Sequence, residues 1–447
     1  MQRPASHAYP RDLARLVCQR WDERRSLLDE DAASTPERNA LPLPEVIERL
    51  FSVCYQASLL HEEGRLITFR MVLAAPETFS AADGPPAGLH RLVFDQARAF
   101  NEHELKRLAP AAAFRRALIG VQLNPQGELE VWGLVHSGPR WLQAVRGGRH
   151  VEQAIPAALM AAVAGPGRLL ASQGTRSLAA LAGGTVTEVA TDVFQASWLA
   201  NWFTDLHAAL RAQYPESGEQ KAHGAQLDPS FGHHLAQHVL RRIVSTVRGA
   251  RHGGTLIFLP FGQAEGLVAD GRCLTLKYEF RDEEPRRRIF TLMVDIMKEL
   301  STLRRATDGE DLLRLGWPDY EASQSPRLAS LDEALFEVAH LVAMLADVDG
   351  AVVMTNRLEM LGFGAEISGA LAEGECVDRS LDLEGTRYTT ERTDRVGTRH
   401  RSAYRLCQLV HEAFTIVVSQ DGGVRFVRWH AGTVTYFDQI ATGPWEV

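Results

Sequence analysis

The sequence predicts an α/β protein in which a C-terminal mixed sheet flanked by helices is preceded by an α+β N-terminal domain. Three observations predict it. The chain has 447 residues, more than one hydrophobic core usually organises. The stretch 214–226 (YPESGEQKAHGAQ) is polar, carries Pro and Gly, and has no periodicity, which marks a linker. Beyond it, apolar residues at helical spacing alternate with β-branched apolar runs, the pattern of helices on the faces of one sheet. We therefore divide the chain into 1–213, a linker 214–226, and 227–447.

Composition narrows the function classes. Hydrophobic residues make up 45% and charged residues 23% of the chain, as in ordinary globular proteins. The net charge of -8 argues against a protein that coats nucleic acid, since such binding rests on many Lys and Arg contacts to phosphate. Cys18, Cys54, Cys273, Cys376 and Cys407 are scattered and form no CxxC pair, which suits reduced thiols better than disulfides or structural zinc. The N-terminus has no apolar signal-peptide core, and the longest apolar run, 154–167, falls short of the ~20 residues of a membrane helix. The expectation is a soluble cytoplasmic protein without membrane contact.

Apolar spacing predicts amphipathic helices over 11–27 and 44–62, and Pro44 suits a first helical turn. Strand-like segments follow at Arg65–Ala74, Leu118–Leu123 and Leu129–His136, the last two joined through Asn124-Pro125-Gln126-Gly127 as a hairpin. Glycine-punctuated apolar runs over 138–190 suggest further strands and turns. A helical run over 192–213 carries Trp198 and Trp202 on one face, as core or interdomain packing. In the second half we expect helices near 230–248, 287–305, 331–346 and 402–412. Strands are expected at 254–260, 272–281, 350–355, 358–365, 414–419 and 424–429, the last of them ending at Arg428-Trp429.

Two segments carry the chemistry. Asp349-Gly350-Ala351 lies where a helix gives way to a buried strand, so the carboxylate can meet a divalent metal or a hydroxyl while Gly350 leaves room for close approach. Gly397-Thr398-Arg399-His400-Arg401-Ser402 gathers two guanidiniums, an imidazole and two hydroxyls at a helix start. Guanidinium forks and first-turn amides both suit phosphate. Each motif alone also has the composition of a plain turn. Their order along the chain is what carries weight: helix, DGA, two strands, a loop, GTRHRS, helix, then Ile416-Val417-Val418-Ser419.

This order resembles the diadenylate cyclase (DisA-N/DAC-like) domain family, with a leaning toward its divergent sensor-type (DACNV-like) relatives. The resemblance runs from roughly 230 to 438 and includes the helix 231–248 and Gly253-Gly254-Thr255-Leu256-Ile257-Phe258 as the family's opening helix and strand. It implies a domain that binds ATP and pairs face to face with a second copy. Each 3′-hydroxyl then attacks the other α-phosphate, giving cyclic di-AMP and pyrophosphate. It also implies Asp349, Arg399, His400 and Arg401 as catalytic residues, with Asp349 and His400 at a Mg²⁺ or Mn²⁺ ion. Gly350, Ala351, Gly397, Thr398, Ser402 and Ser419 would lie near the nucleotide, and Ile367 would pack on adenine. Two segments, 282–330 and 366–397, are longer than the family's connections and bear on the face where a second ATP would arrive. The alternative is therefore a non-catalytic sensor that binds a nucleotide or cyclic dinucleotide in the same pocket, with the N-terminal domain regulatory.

Three further features read as structural. Asp347 is a solvated helix end, His234 and His238 are a surface or core pair without the Glu of HExxH, and Arg286–Arg288 is a solvated helix face.

Overall fold

A computed structural model describes residues 7–28, 41–80, 89–112, 116–136, 157–174, 176–188, 192–213, 226–250, 252–303, 314–323, 325–368, 376–420 and 422–439. The fold is mixed α/β. Packing divides it into two compact units, one containing the described residues up to 188 and the other those from 192 to 439.

The first unit contains helices α1 (Pro10–Leu28), α2 (Pro44–Ser58) and α3 (Glu102–Leu108). Its main strands are β1 (Phe69–Leu73), β2 (His90–Ala99), β3 (Ala117–Leu123), β4 (Leu129–His136), β5 (Leu159–Gly165), β6 (Arg168–Gln173), β7 (Arg176–Ala182) and β8 (Thr185–Glu188). They form one sheet in the order β8-β7-β6-β5-β1-β3-β4-β2, in which only β1 and β3 run parallel. Leu13, Val17 and Trp21 on α1, with Ile47, Leu50 and Phe51 on α2, recur at helical spacing and bury against Phe69, Met71, Ile119 and Val131. The opposite sheet face carries Val72, Leu118, Trp132 and Met160. Trp132 donates from Nε1 to the Ala74 carbonyl at 2.8 Å. Its indole lies over Gly120, where a Cβ would come within 2.3 Å of the ring. The β3–β4 hairpin closes as its turn chemistry dictates: Asn124 Oδ1 accepts from the amides of Gln126 and Glu128, and Gly127 takes φ +79°.

The second unit contains α4 (Ser197–Trp202), α5 (Thr204–Gln213), α6 (Phe231–Ala250), α7 (Phe261–Asp270), α8 (Arg288–Leu303), α9 (Pro326–Asp347) and α10 (Thr398–Leu409). Its strands are β9 (Gly254–Leu259), β10 (Leu274–Thr275), β11 (Tyr278–Glu279), β12 (Ala351–Thr355), β13 (Met360–Ile367), β14 (Cys376–Ser380), β15 (Tyr388–Arg392), β16 (Phe414–Val418), β17 (Val424–His430) and β18 (Thr433–Gln439). The sheet order is β10-β13-β12-β9-β16-β17-β18-β14-β15, with β11 also on β13. β9 is parallel to β12 and antiparallel to β16. Both faces are covered, and so β9 is apolar throughout. Leu256 and Phe258 pack with α4, α5, α6, α8 and α9, while Ile257 and Leu259 pack on the α7 and α10 side.

The structure corrects several expectations. The run 192–213 is a 3-10 turn followed by α4 and α5, and Trp198, Phe203, Leu206 and Leu210 bury in the core of the second unit. Packing thus divides the chain before 197–213, whereas the polar linker at 214–225 lies outside the described residues. The expected strand 272–281 is instead two short strands, β10 and β11, each paired to β13, and the helix α7 precedes them. The sheet does not end at Trp429, since β18 pairs along all of β17. The tight turn between them holds Ala431 at φ 48° and Gly432 at φ 88°, so a non-glycine in the left-handed region hides the usual hairpin signature. The long segment before α10 forms the β14–β15 hairpin on the far flank of the sheet. Arg287 is not merely solvated: its Nε lies 3.1 Å from the carboxylate of Glu359, itself buried. Asp308-Gly309-Glu310-Asp311 lies outside the described residues.

Phe414 is fully buried, stacked on Phe258 at 4.6 Å with the Trp202 ring edge-on at 4.5 Å. Phe414→Ala should cost about 3–5 kcal/mol in urea unfolding. A second prediction concerns pH. His207 on α5 faces His233 on α6 at 5.3 Å between rings. Burial first, then the charges of His233 and Arg211, bring the His207 pKa down to about 4. The unfolded chain, with its histidine near ~6.5, binds more protons in between. Stability is therefore complete above about pH 6.5 and falls as pH drops toward about 4. Urea midpoints should fall between about pH 7 and pH 5, with a shallower fall in His207→Gln.

Candidate functional site

Parallel pairing of β9 with β12, in the register Leu256↔Val352, sets the starts of both strands on one edge of the sheet. Antiparallel pairing of β9 with β16, in the register Gly254↔Val418, brings the end of β16 to the same edge. The bend 348–350 and the loop at 252–253 therefore meet there with Ser419 and Gln420.

Asp349 is exposed in that bend. Gly350 follows at φ +115°, and a Cβ on it would lie 2.5 Å from the Gly364 carbonyl carbon and 2.8 Å from the Ala365 amide nitrogen. The backbone of β13 thus passes directly against Gly350, which only glycine allows. Ala351 begins β12, buried opposite Ala365.

The second motif reaches this edge from α10. Gly397 is the N-cap and offers no side-chain acceptor, so the first-turn amides of the helix remain to bind an anion. Thr398, Arg399 and Arg401 are exposed, and His400 and Ser402 are half-buried. Arg399 donates from Nη1 to the His252 carbonyl at 3.0 Å. A Cβ on Gly253 would come within 2.8 Å of that same Nη1 and 3.2 Å of the Gln420 amide nitrogen. His252 in turn lies 3.5 Å from the Asp347 carboxylate at the end of α9. Arg399 is thereby fixed between the starts of β9 and α10 and the end of β16.

Not every expected residue points the same way. Ser419 donates its hydroxyl to the Gly423 carbonyl at 3.2 Å, within its own turn. Ile367 closes β13 opposite Leu274 and packs in the apolar layer with Leu267 and Val268 of α7. His238 is buried against Trp317 and Arg242, and His234 is exposed. Among the described residues no group of three or more His, Cys, Asp or Glu side chains gathers as a metal cage. Asp349 still fits Mg²⁺ or Mn²⁺, since such ions commonly take one or two carboxylates and complete their shell with phosphate oxygens and water.

His252 and Lys277 near this edge were absent from the sequence reading, and Gly253 entered it only as the start of the first strand. Lys277 Nζ lies 2.6 Å from Glu366 Oε1. The Glu366 hydrogen bond and charge, followed by a smaller contribution from Asp349, raise its pKa. Lys277 is thus paired with Glu366 on β13, the strand whose backbone passes against Gly350. It comes from the β10–β11 connection, and nothing in the local sequence pattern links it to DGA.

Known proteins bear on the other unit. Residues 36–136 match the family model described as the probable sensor domain DACNV. The match spans α2 through β4 of the first unit, where a regulatory or sensory domain was expected. No curated protein and no solved structure matches the chain. Among the described residues no helix is long and apolar enough to cross a membrane.

Gly350→Ala should destabilise the second unit by ~1–3 kcal/mol, because φ +115° and the Gly364 backbone both oppose a Cβ. Urea unfolding measures this. An unchanged midpoint would show that the bend relaxes freely.

Proposed function

We propose that the second unit binds ATP at the edge shared by Asp349-Gly350 and Thr398–Arg401. We further propose that two copies condense two ATP molecules into cyclic di-AMP, under regulation by the first unit. The observation that carries this reading is the convergence of two motifs, far apart in sequence, on one end of three adjacent strands. Arg399 and Arg401 hold phosphate with the amides of the first turn of α10, and His400 and Ser402 flank them. As each 3′-oxygen bonds to the other α-phosphorus, the bond from that phosphorus to pyrophosphate breaks. The hydroxyl proton leaves toward Asp349, and the guanidiniums balance charge gathering on pyrophosphate. A Mg²⁺ or Mn²⁺ ion bound at Asp349 and the phosphates would lower the cost of that deprotonation. The described parts of both long segments leave this reading room: α8 builds the helical layer with α6 and α9, and the β14–β15 hairpin extends the far flank.

A second reading, a sensor that binds a nucleotide or cyclic dinucleotide without turnover, is favoured by the DACNV match. The two separate in one assay, in which the protein is incubated with ATP and Mn²⁺ and cyclic di-AMP is sought by mass spectrometry. Product that disappears in Asp349→Asn supports the cyclase, whereas saturable ATP binding without product supports the sensor. In both cases Arg399→Ala should weaken ATP binding roughly tenfold to a hundredfold, the loss of a charge-assisted phosphate contact. Wild-type protein that binds no ATP would contradict both.

A further inference from the structure

A cavity opens at the opposite end of the same sheet, with a volume of about 350 Å³, within the range of small-ligand sites. β9 separates it from the DGA edge by six residues, or ~20 Å at strand rise. It sits where the parallel strands β9 and β12 end, at Pro260 and Asn356. Trp202, Asp205, His411, Glu412, Phe414 and Arg428 also line it.

Its side chains are organised rather than incidental. Asn356 is buried and held from both sides, accepting from the Phe261 amide at 2.9 Å and donating to Asp205 at 2.9 Å. The His411 ring stacks on Trp429 at 4.0 Å. Trp202 is pinned edge-on against Phe414 and donates to the Glu412 carbonyl. Arg428 is half-buried, its guanidinium 4.8 Å over the Trp198 ring and its Nε donating to the Trp429 carbonyl. Among the described residues it forms no ion pair, whereas the half-buried Arg241, Arg287 and Arg425 of this unit each meet a carboxylate. Burial pulls its pKa below the ordinary arginine value, and Cys407 and Glu384 oppose this only in part.

Charge selects the ligand. Arg428 lines the cavity together with two acidic residues, Asp205, whose carboxylate accepts from Asn356, and Glu412. A polyphosphate would gain one cation and meet two negative charges, so this cavity does not duplicate the nucleotide edge. A molecule with one carboxylate and one ammonium satisfies both signs. We propose that this cavity binds a small zwitterion of the amino-acid class, with its carboxylate on Arg428, its ammonium toward Asp205 and Glu412, and its carbon chain against Trp202. Guanidinium forks match carboxylates bidentately, and the aromatic walls supply apolar contact at small entropic cost.

The test titrates the full chain with each common amino acid, and with acetate and methylammonium as the two halves of the ligand, by calorimetry and thermal shift. At least one amino acid should bind saturably and far more tightly than either half, and ATP should not displace it. Arg428→Gln should weaken that binding roughly tenfold or more, as expected for losing a charged hydrogen-bonded partner. Glu412→Gln changes a residue exposed to solvent, keeps the fold intact, and should weaken binding in the same direction. The proposal is overturned if no amino acid binds saturably, if ATP competes, or if affinity is unchanged in Glu412→Gln.

Discussion

The second unit depends on how β9 is paired. It runs parallel to β12 on one side and antiparallel to β16 on the other. A uniformly parallel or uniformly antiparallel sheet would send one of these loops to the opposite end. With this mixed pairing, the starts of β9 and β12 and the end of β16 open on one edge, and α10 returns across the sheet to present Arg399 there. Both faces of β9 are buried, with Leu256 and Phe258 in one apolar layer and Ile257 and Leu259 in the other. Gly253 and Gly350 then permit approaches that no side chain would allow.

The same pairing sets the character of the two sheet ends. One end gathers exposed arginines, a glycine bend and first-turn amides, a field suited to phosphate. The other gathers a half-buried arginine, two carboxylates and aromatic walls, a field suited to a molecule without net charge. The rigid β9 stands between them. In the first unit, the α2-to-β4 region that matches a probable sensor domain is a sheet with helices on one face, built on a separate core.

Local chemistry was legible in the sequence, and long-range register was not. The β3–β4 turn follows from Asn124 and Gly127, whose bonding lies within five residues. The helices α6 and α9 and the strands β9, β12 and β16 follow from apolar periodicity, because each buries a face or is buried whole. α7 escaped notice because Phe261-Gly262-Gln263-Ala264-Glu265-Gly266 carries two glycines and buries only Ala264. β18 escaped because Ala431 stands where a hairpin turn usually shows Asn or Gly. The DGA and TRHR motifs were legible as two polar segments in a particular order, and the structure brings them to one sheet edge. Their neighbours were not legible: His252 and Lys277 reach the site only through strand pairings that link residues roughly a hundred positions apart. A polar stretch attracts a boundary, yet Trp198 and Phe203 before it are core residues of the unit that follows.

Hydrogen–deuterium exchange with and without ATP and Mn²⁺ tests most directly whether the two motifs form one site. The account predicts that amides in 348–352, 397–402 and 418–420 gain protection together, while those around Pro260 and Asn356 at the opposite end do not. Saturable ATP binding that protects only one of the two motifs, or protects the opposite end instead, would contradict it.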